Sequence, residues 1–235
     1  LARSAEEAGF ASFRFDFSGL GDSEPRVPPL DLTESVIADA VEAMNHLADH
    51  FGYRRFVLVG LCSGAVNAHH IAAADSRVVG AALMDGYAYS TLRSRISEIC
   101  SRLRSPRRLA RGVLRRAARL VSPGPPAQTL TAAEEEFLPF WPSRPQVERD
   151  LGVLRDRGVA LLYVFTPEWS QYRYTGQVKD AFRRVGYGRR LAERQIAQAE
   201  HLYLEPPARD DLVDTIRQWL EEQTWTQPSA GQPPG

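Results

Sequence analysis

The chain has 235 residues, and its 29 Lys and Arg residues balance 29 Asp and Glu residues, so the formal net charge is zero. A neutral chain has no overall attraction to nucleic acid, and no apolar run approaches the roughly 18 residues that a membrane span needs. The hydrophobic content of 43% suits one α/β domain with an insertion. Two cysteines, Cys62 and Cys100, provide no disulfide framework and predict a reducing, cytoplasmic location.

Short apolar runs bounded by turn residues predict strands along most of the chain. These strands are expected at residues 11–17, 56–59, 78–84, 160–166 and 193–197. Apolar residues at a period of 3.6 predict helices between them. The helices are expected at residues 33–51, 63–74, 146–157, 171–184 and 209–222, with Thr33 as the N-cap signal of the first. This alternation favours a mostly parallel sheet covered by helices on both faces.

The regular alternation stops in the middle of the chain. Residues 93–119 contain ten arginines and one acid, with apolar residues at helical spacing, which predicts two basic amphipathic helices separated near Pro106. We therefore expect a core over residues 1–88 and 146–223, and a helical cap over 89–145. The arginine-rich face is either a solvated helix surface or a contact for an anionic substrate, carrier protein or membrane surface.

The last residues, 224–235, are rich in Pro, Gly, Gln and Ser and are predicted to be disordered.

The run F-V-L-V-G-L-C-S-G-A at residues 56–65 joins an apolar strand, a tight turn and a helix. This order is typical of a nucleophile elbow, in which one side chain stands above the sheet edge at a strained backbone position. The positions two before and two after the nucleophile should lack side chains, and Gly60 and Gly64 stand there relative to Cys62. Were Ser63 the nucleophile, a leucine would occupy one crowded position. The pattern favours Cys62, with Ser63 or a buried structural thiol as alternatives.

Two further motifs accompany the elbow. The run R-F-D-F-S-G-L-G-D-S at residues 14–23 precedes it, and Glu200-His201 follows the last predicted strand. In this order the motifs resemble the α/β-hydrolase superfamily, in particular its serine-aminopeptidase-like members. The G-L-C-S-G-A elbow resembles the bacterial hydrolases associated with exosortase and exopolysaccharide systems. The resemblance implies an α/β-hydrolase fold, of the α/β class, with a cap inserted over the active site.

The same resemblance implies roles for individual residues. His201 is the expected base for Cys62, since a thiol is largely protonated at neutral pH and becomes a strong nucleophile only when activated. The helix that begins at Ser63 would direct its positive N-terminus at the sulfur, and the backbone N–H of Ser63 would be one oxyanion donor. The family places its acid after the seventh strand, where this chain has Glu168, and Asp85 after the sixth strand is the alternative acid.

By resemblance, a third strand with its oxyanion loop would lie between the strands at 11–17 and 56–59, and the chain begins after that point. We therefore expect the N-terminal strands to be missing here, and either an N-terminal extension in the natural protein or a fragment.

The function expected from these motifs is an acyl hydrolase that acts on a small-molecule or carrier-bound ester or thioester through a Cys-His-acid triad. An acyltransferase using the same site and a non-catalytic binding protein of this fold are the alternatives. Neither a cofactor nor a metal is expected, because the sequence has no Cys/His ligand cluster and no phosphate-binding glycine loop. Aromatic residues available to line the pocket are Tyr87, Tyr89, Trp141, Trp169 and Tyr172.

Overall fold

The computed structural model describes residues 1–103, 141–169 and 171–225. Its centre is a parallel sheet of four strands in the order β1-β2-β3-β4. The strands are β1 (Phe56–Leu61), β2 (Val78–Met84), β3 (Ala160–Phe165) and β4 (Leu191–Gln195). All four are short, and β2 and β3 are apolar throughout, as expected for strands that are covered on both faces. The edge strand β4 is more polar and carries Glu193, Arg194 and Gln195.

Helices cover both faces of this sheet. They are α1 (Ala2–Glu7), α2 (Leu32–Phe51), α3 (Ser63–Ala74), α4 (Leu92–Leu103), α5 (Arg144–Asp156), α6 (Gln177–Ala181) and α7 (Pro206–Glu222). Side chains alternate along β3, so that Leu161, Tyr163 and Phe165 enter the core formed with α2, α3 and α5. Leu162 and Val164 enter the opposite core, formed mainly with α7. The alternation follows from the two-residue period of a strand.

The register of the sheet aligns the carboxyl ends of the strands. Leu61 pairs with Met84, Met84 with Val164, and Phe165 with Gln195. In a parallel sheet, the residues that follow the strands lie at the same edge, and ligand-binding and active sites of open α/β sheets form there. The strand predictions at 78–84 and 160–166 and the helix prediction at 63–74 are confirmed to within one residue.

The predicted strand at 11–17 is wrong. Within the described part of the chain this segment pairs with no strand, and the side chains of Phe13 and Phe15 are 54% and 38% exposed. A β-strand requires a hydrogen-bonded partner, and an apolar alternation alone does not supply one. The loop that follows is held instead by Asp39 of α2, whose carboxylate accepts from the backbone N–H and the hydroxyl of Ser18 at 2.7 and 2.8 Å.

Two helix predictions need correction. Asp31 rather than Thr33 caps α2, because its carboxylate accepts from the N–H of Glu34 at 2.9 Å. The helix expected over 171–184 is only the five residues of α6. It begins after Gly176, whose φ is +100°, and the buried Glu193 of β4 accepts from backbone N–H groups at its start, so tertiary contacts set its position.

The first of the two basic helices predicted for the cap corresponds to α4. The second is predicted within residues 104–140, which lie outside the described residues, so the cap over 89–145 stays a prediction. Trp225, which the sequence analysis assigns to the disordered tail, packs against Trp219 and Phe10 with ring centroids 5.4 and 5.6 Å apart, and residues 226–235 lie outside the described part. Of the helices in the described ranges, none combines the length and apolarity that crossing a membrane requires.

Candidate active site

The turn between β1 and α3 has the geometry of a nucleophile elbow. Cys62 adopts φ +56° and ψ −117°, a region that non-glycine residues rarely enter. Its backbone N–H donates to the carbonyl of Met84 at 2.8 Å, which continues the β1–β2 ladder one residue past the strand. The half-buried thiol therefore stands at the carboxyl edge of the sheet, at the start of α3. Ser63 is the first residue of α3, so its N–H has no acceptor within the helix and can donate to a ligand.

The two elbow glycines differ in their surroundings. A Cβ at Gly60 would lie 2.1 Å from the carbonyl oxygen of Gly64, a distance that no side chain tolerates. A Cβ at Gly64 would meet no atom within 4 Å. The elbow therefore demands glycine at position 60 because the backbone of Gly64 crosses there, whereas position 64 has room for a side chain.

Asp85 stands beside the elbow at the end of β2. Its N–H donates to the carbonyl of Val164 at 3.0 Å, and its φ is +45°. The side chain is fully buried and accepts from the N–H and the hydroxyl of Thr166 at 2.8 and 2.7 Å. A buried carboxylate is costly without such donors. The strained backbone and these two donors orient the carboxylate of Asp85, and its remaining lone pairs face the loop after β4.

The imidazole of His201 contacts the carboxylate of Asp85. The ring Nδ1 of His201 lies 2.9 Å from Oδ2 of Asp85, and the His201 side chain is 29% exposed. Because a carboxylate only accepts, Nδ1 carries the proton and Nε2 is left with its lone pair. This is the orientation that a general base requires.

Glu168 also contacts His201, but through the backbone. Its Oε2 accepts from the N–H of His201 at 2.9 Å, so the carboxylate holds the loop and leaves the ring to Asp85. Of the two acids proposed from the sequence, the one at the imidazole is therefore Asp85.

The indole of Trp169 covers one face of the His201 ring. The two ring planes are 13° apart with centroids at 5.5 Å, and the ring of Trp141 stacks on Trp169 with centroids 5.4 Å apart and planes 16° apart. From the sequence, both tryptophans were expected only as pocket lining. The stack joins residues from three separate segments of the chain, and no sequence spacing predicts it.

The loop that carries His201 is held by its own side chains. The carboxylate of Glu200 accepts from the N–H groups of Leu202 and Leu204. Burial acts to raise the pKa of Glu200, but these donors outweigh it, so the pKa lies below the usual value. Tyr203, at φ +52°, is buried; burial and the nearby Asp85 carboxylate raise its pKa above the usual value. The loop is therefore anchored on both sides of His201.

Tyr87 and Tyr172, two of the residues proposed as pocket lining, belong to the core instead. Both are buried, and Tyr172 stacks on Phe165 at 3.8 Å between centroids. The hydroxyl of Tyr87 lies 2.8 Å from Nδ1 of His69 and 2.8 Å from the hydroxyl of Tyr163. Burial, followed by the neighbouring Tyr163, raises the pKa of Tyr87 well above its usual value.

His69 completes this buried network, because its Nε2 lies 3.1 Å from a carboxylate oxygen of Asp150 on α5.

Comparison with known proteins agrees with this fold. The solved structure of DcsB in complex with a substrate analogue matches with a TM-score of 0.54 and 16% identity over 95% of this chain and 84% of that one. A meta-cleavage product hydrolase from Pseudomonas fluorescens IP01 matches with a TM-score of 0.47 and 15% identity over 88% and 78%. A carboxylesterase structure from the thaumarchaeon Nitrososphaera gargenis matches at 0.39 and 11% over 78% and 72%. No curated protein matches the sequence.

The sequence profile of the alpha/beta hydrolase fold family matches residues 1–188, which include the elbow, Asp85 and Glu168. Since the profile spans most of the chain and the parallel sheet carries the elbow at its carboxyl edge, the chain belongs to the alpha/beta hydrolase fold family and is a hydrolase by family membership.

Proposed function

We propose that the protein is an acyl hydrolase that cleaves a carboxylic ester or thioester through a covalent acyl-cysteine intermediate. Cys62 is the nucleophile, His201 the general base and Asp85 the acid that orients it. The observation that carries the proposal is the 2.9 Å contact between Nδ1 of His201 and the buried carboxylate of Asp85, at the sheet edge where Cys62 also stands. Glu168, first expected as the acid, acts on the backbone of His201 in this proposal.

The first half-reaction forms the intermediate. The sulfur of Cys62 attacks the acyl carbonyl carbon while Nε2 of His201 takes the thiol proton. Asp85 keeps the imidazole in the required tautomer and stabilises the imidazolium. The carbonyl oxygen becomes an oxyanion that accepts from the N–H of Ser63. The tetrahedral adduct then collapses, the bond to the leaving alcohol or thiol breaks, and that group departs with the proton from His201.

The second half-reaction returns the free enzyme. Water attacks the acyl-cysteine while His201 removes its proton, and the products are a carboxylic acid and the protonated thiol of Cys62. If an acceptor alcohol or amine takes the place of water, the same site performs acyl transfer. Small acyl compounds and carrier-bound thioesters both fit this chemistry.

Intact-mass spectrometry after brief incubation with p-nitrophenyl acyl esters tests the proposal. We expect a mass increase of one acyl group, absent in Cys62→Ala and strongly reduced in His201→Ala. Cys62→Ser is the matched control, since it keeps a nucleophile at the elbow and should form an oxygen ester that resists hydroxylamine better than the thioester. Release of free acid against transfer to an added alcohol distinguishes hydrolase from acyltransferase.

Thiol reactivity separates an enzyme from a binding protein. An activated Cys62 should react with iodoacetamide well below pH 8, and His201→Ala should slow that reaction. A folded protein that neither forms the acyl adduct nor reacts with iodoacetamide under these conditions would contradict the proposal and favour a non-catalytic binding protein.

A further inference from the structure

The turn after β3 contacts the Asp85–His201 pair at three points. Thr166 donates two hydrogen bonds to Asp85, and Glu168 accepts from the backbone N–H of His201. Trp169 stacks its indole on the ring of His201. The turn itself is closed by the N–H of Trp169, which donates to the carbonyl of Thr166 at 3.2 Å. The segment 166–169 therefore contacts the carboxylate of Asp85, the backbone of His201 and one face of the His201 ring.

Ring stacking and packing against the core hold the indole of Trp169. Its Nε1 is buried and has no hydrogen-bond partner among the described residues. The planes of Trp141, Trp169 and His201 are nearly parallel, with interplanar angles of 16° and 13° along the stack. The stacked indole restrains the plane of the His201 ring, because a tilt of the imidazole would break the contact between the two ring faces.

The stack also has an electrostatic consequence. The face of an indole is the most favourable aromatic surface for a cation within about 6 Å of the ring centroid. His201 becomes a cation each time it takes a proton, and the indole lies at 5.5 Å. Trp169 therefore stabilises the imidazolium more than the neutral ring, which favours proton transfer to His201.

We propose that Trp169 is a positioning residue for His201: it sets the plane of the imidazole and stabilises its protonated form, and Trp141 supports it by stacking on the indole. This inference rests on the proposed function, in which His201 is the base. Among the described residues, the other charged groups next to His201 are Asp85 from the β2 end, Glu168 from the β3 turn and Glu200 from its own loop. All are carboxylates, and a substitution of Trp169 leaves them in place.

The test is an NMR titration of the histidine ring signals in wild type, Trp169→Leu and Trp169→Phe, with His201→Gln to assign the signal. Loss of a cation–π contact should move the His201 titration midpoint down by about half a pH unit in Trp169→Leu, and by less in Trp169→Phe. The acid limb of kcat/KM should move in the same direction, with kcat lowered about three- to tenfold. Trp225→Leu, which removes a packed tryptophan from the opposite core, is the matched control and should leave the midpoint unchanged.

An unchanged His201 midpoint in a folded Trp169→Leu or Trp169→Phe variant would overturn the inference. Should the leucine variant fail to fold, the phenylalanine variant decides. Because the titration does not require turnover, a shifted midpoint in a protein without esterase activity would leave the contact established and reject the proposed function instead.

Discussion

His201 and His69 each lie beside an aspartate, yet the two histidines differ in exposure and in the contacts of their second ring nitrogen. His201 contacts Asp85 through Nδ1 at 2.9 Å, and 29% of its side chain is exposed. His69 contacts Asp150 through Nε2 at 3.1 Å, its other ring nitrogen is bonded to Tyr87, and its side chain is fully buried. The first pair leaves one ring nitrogen for chemistry, whereas the second uses both to join α3, α5 and the loop after β2.

The contrast shows that a histidine–carboxylate contact does not by itself indicate catalysis. Three conditions separate the two cases, namely a ring nitrogen without a partner among the described residues, partial exposure, and the proposed nucleophile Cys62 at the same sheet edge. His201 meets all three, and His69 meets none. Substitutions at the first pair should therefore change turnover, and those at the second should change stability.

The largest effect is expected at His201. His201→Gln removes the proposed base and should lower kcat by about 10⁴-fold or more, with little change in the free energy of unfolding. Turnover of p-nitrophenyl esters and urea unfolding measure the two quantities. A His201→Gln variant that retains more than a small fraction of wild-type turnover would remove His201 from the mechanism.

The next largest effect on kcat is expected at Asp85, the acid proposed to orient His201. Asp85→Asn should lower kcat by about 10⁴-fold at most, because the amide favours the wrong imidazole tautomer. Glu168→Gln is the matched control and should cost much less, since an amide oxygen still accepts from the N–H of His201. If the order of the two losses were reversed, the original assignment of Glu168 as the acid would be restored.

His69 provides the converse case. His69→Phe leaves the Tyr87 hydroxyl and the Asp150 carboxylate without their partner, so we expect the free energy of unfolding to fall by about 2–4 kcal/mol while kcat of the folded protein is retained. His46 on the exposed side of α2 is the control, and His46→Phe should change stability by about 0.5 kcal/mol or less. A catalytic loss at His69 as large as that at His201 would contradict the distinction.

The elbow connects the two regions, because α3 begins directly after Cys62 and carries His69. Gly60→Ala should destabilise the protein by about 2–3 kcal/mol, since the added methyl group overlaps the Gly64 carbonyl. Gly64→Ala has space and should not destabilise. Urea unfolding of both variants measures the difference, and equal destabilisation would show that the elbow is not packed as described.

The smallest effect concerns the end of the buried network. Tyr163→Phe removes one hydrogen bond to Tyr87 and should cost about 1 kcal/mol of unfolding free energy. A double-mutant cycle with Tyr87→Phe should give a coupling of at least about 0.5 kcal/mol, since the hydroxyls are in contact. Additive effects would indicate that the two hydroxyls do not share a hydrogen bond.

Local patterns in the sequence were sufficient for the elbow and most of its surroundings. The limits of β2 and α3 follow from an apolar run and a helical stripe, and the Gly-x-Cys-x-Gly turn lies between elements whose type is set by short-range periodicity. The positions of Cys62 and Ser63 after β1 could be inferred for that reason, whereas the role of His201 was implied by the resemblance to the α/β-hydrolase superfamily.

The tertiary structure alone decided which carboxylate meets the imidazole. Asp85 and His201 are 116 residues apart, and both acids lie next to His201 once the strands align. The positive φ of Asp85 and the two donors of Thr166 direct one carboxylate to the ring, and Glu168 meets the backbone. The Trp141–Trp169–His201 stack and the His69 network likewise depend on the packing of distant segments, which periodicity cannot encode, and the unpaired segment at 11–17 shows that a strand pattern needs a partner.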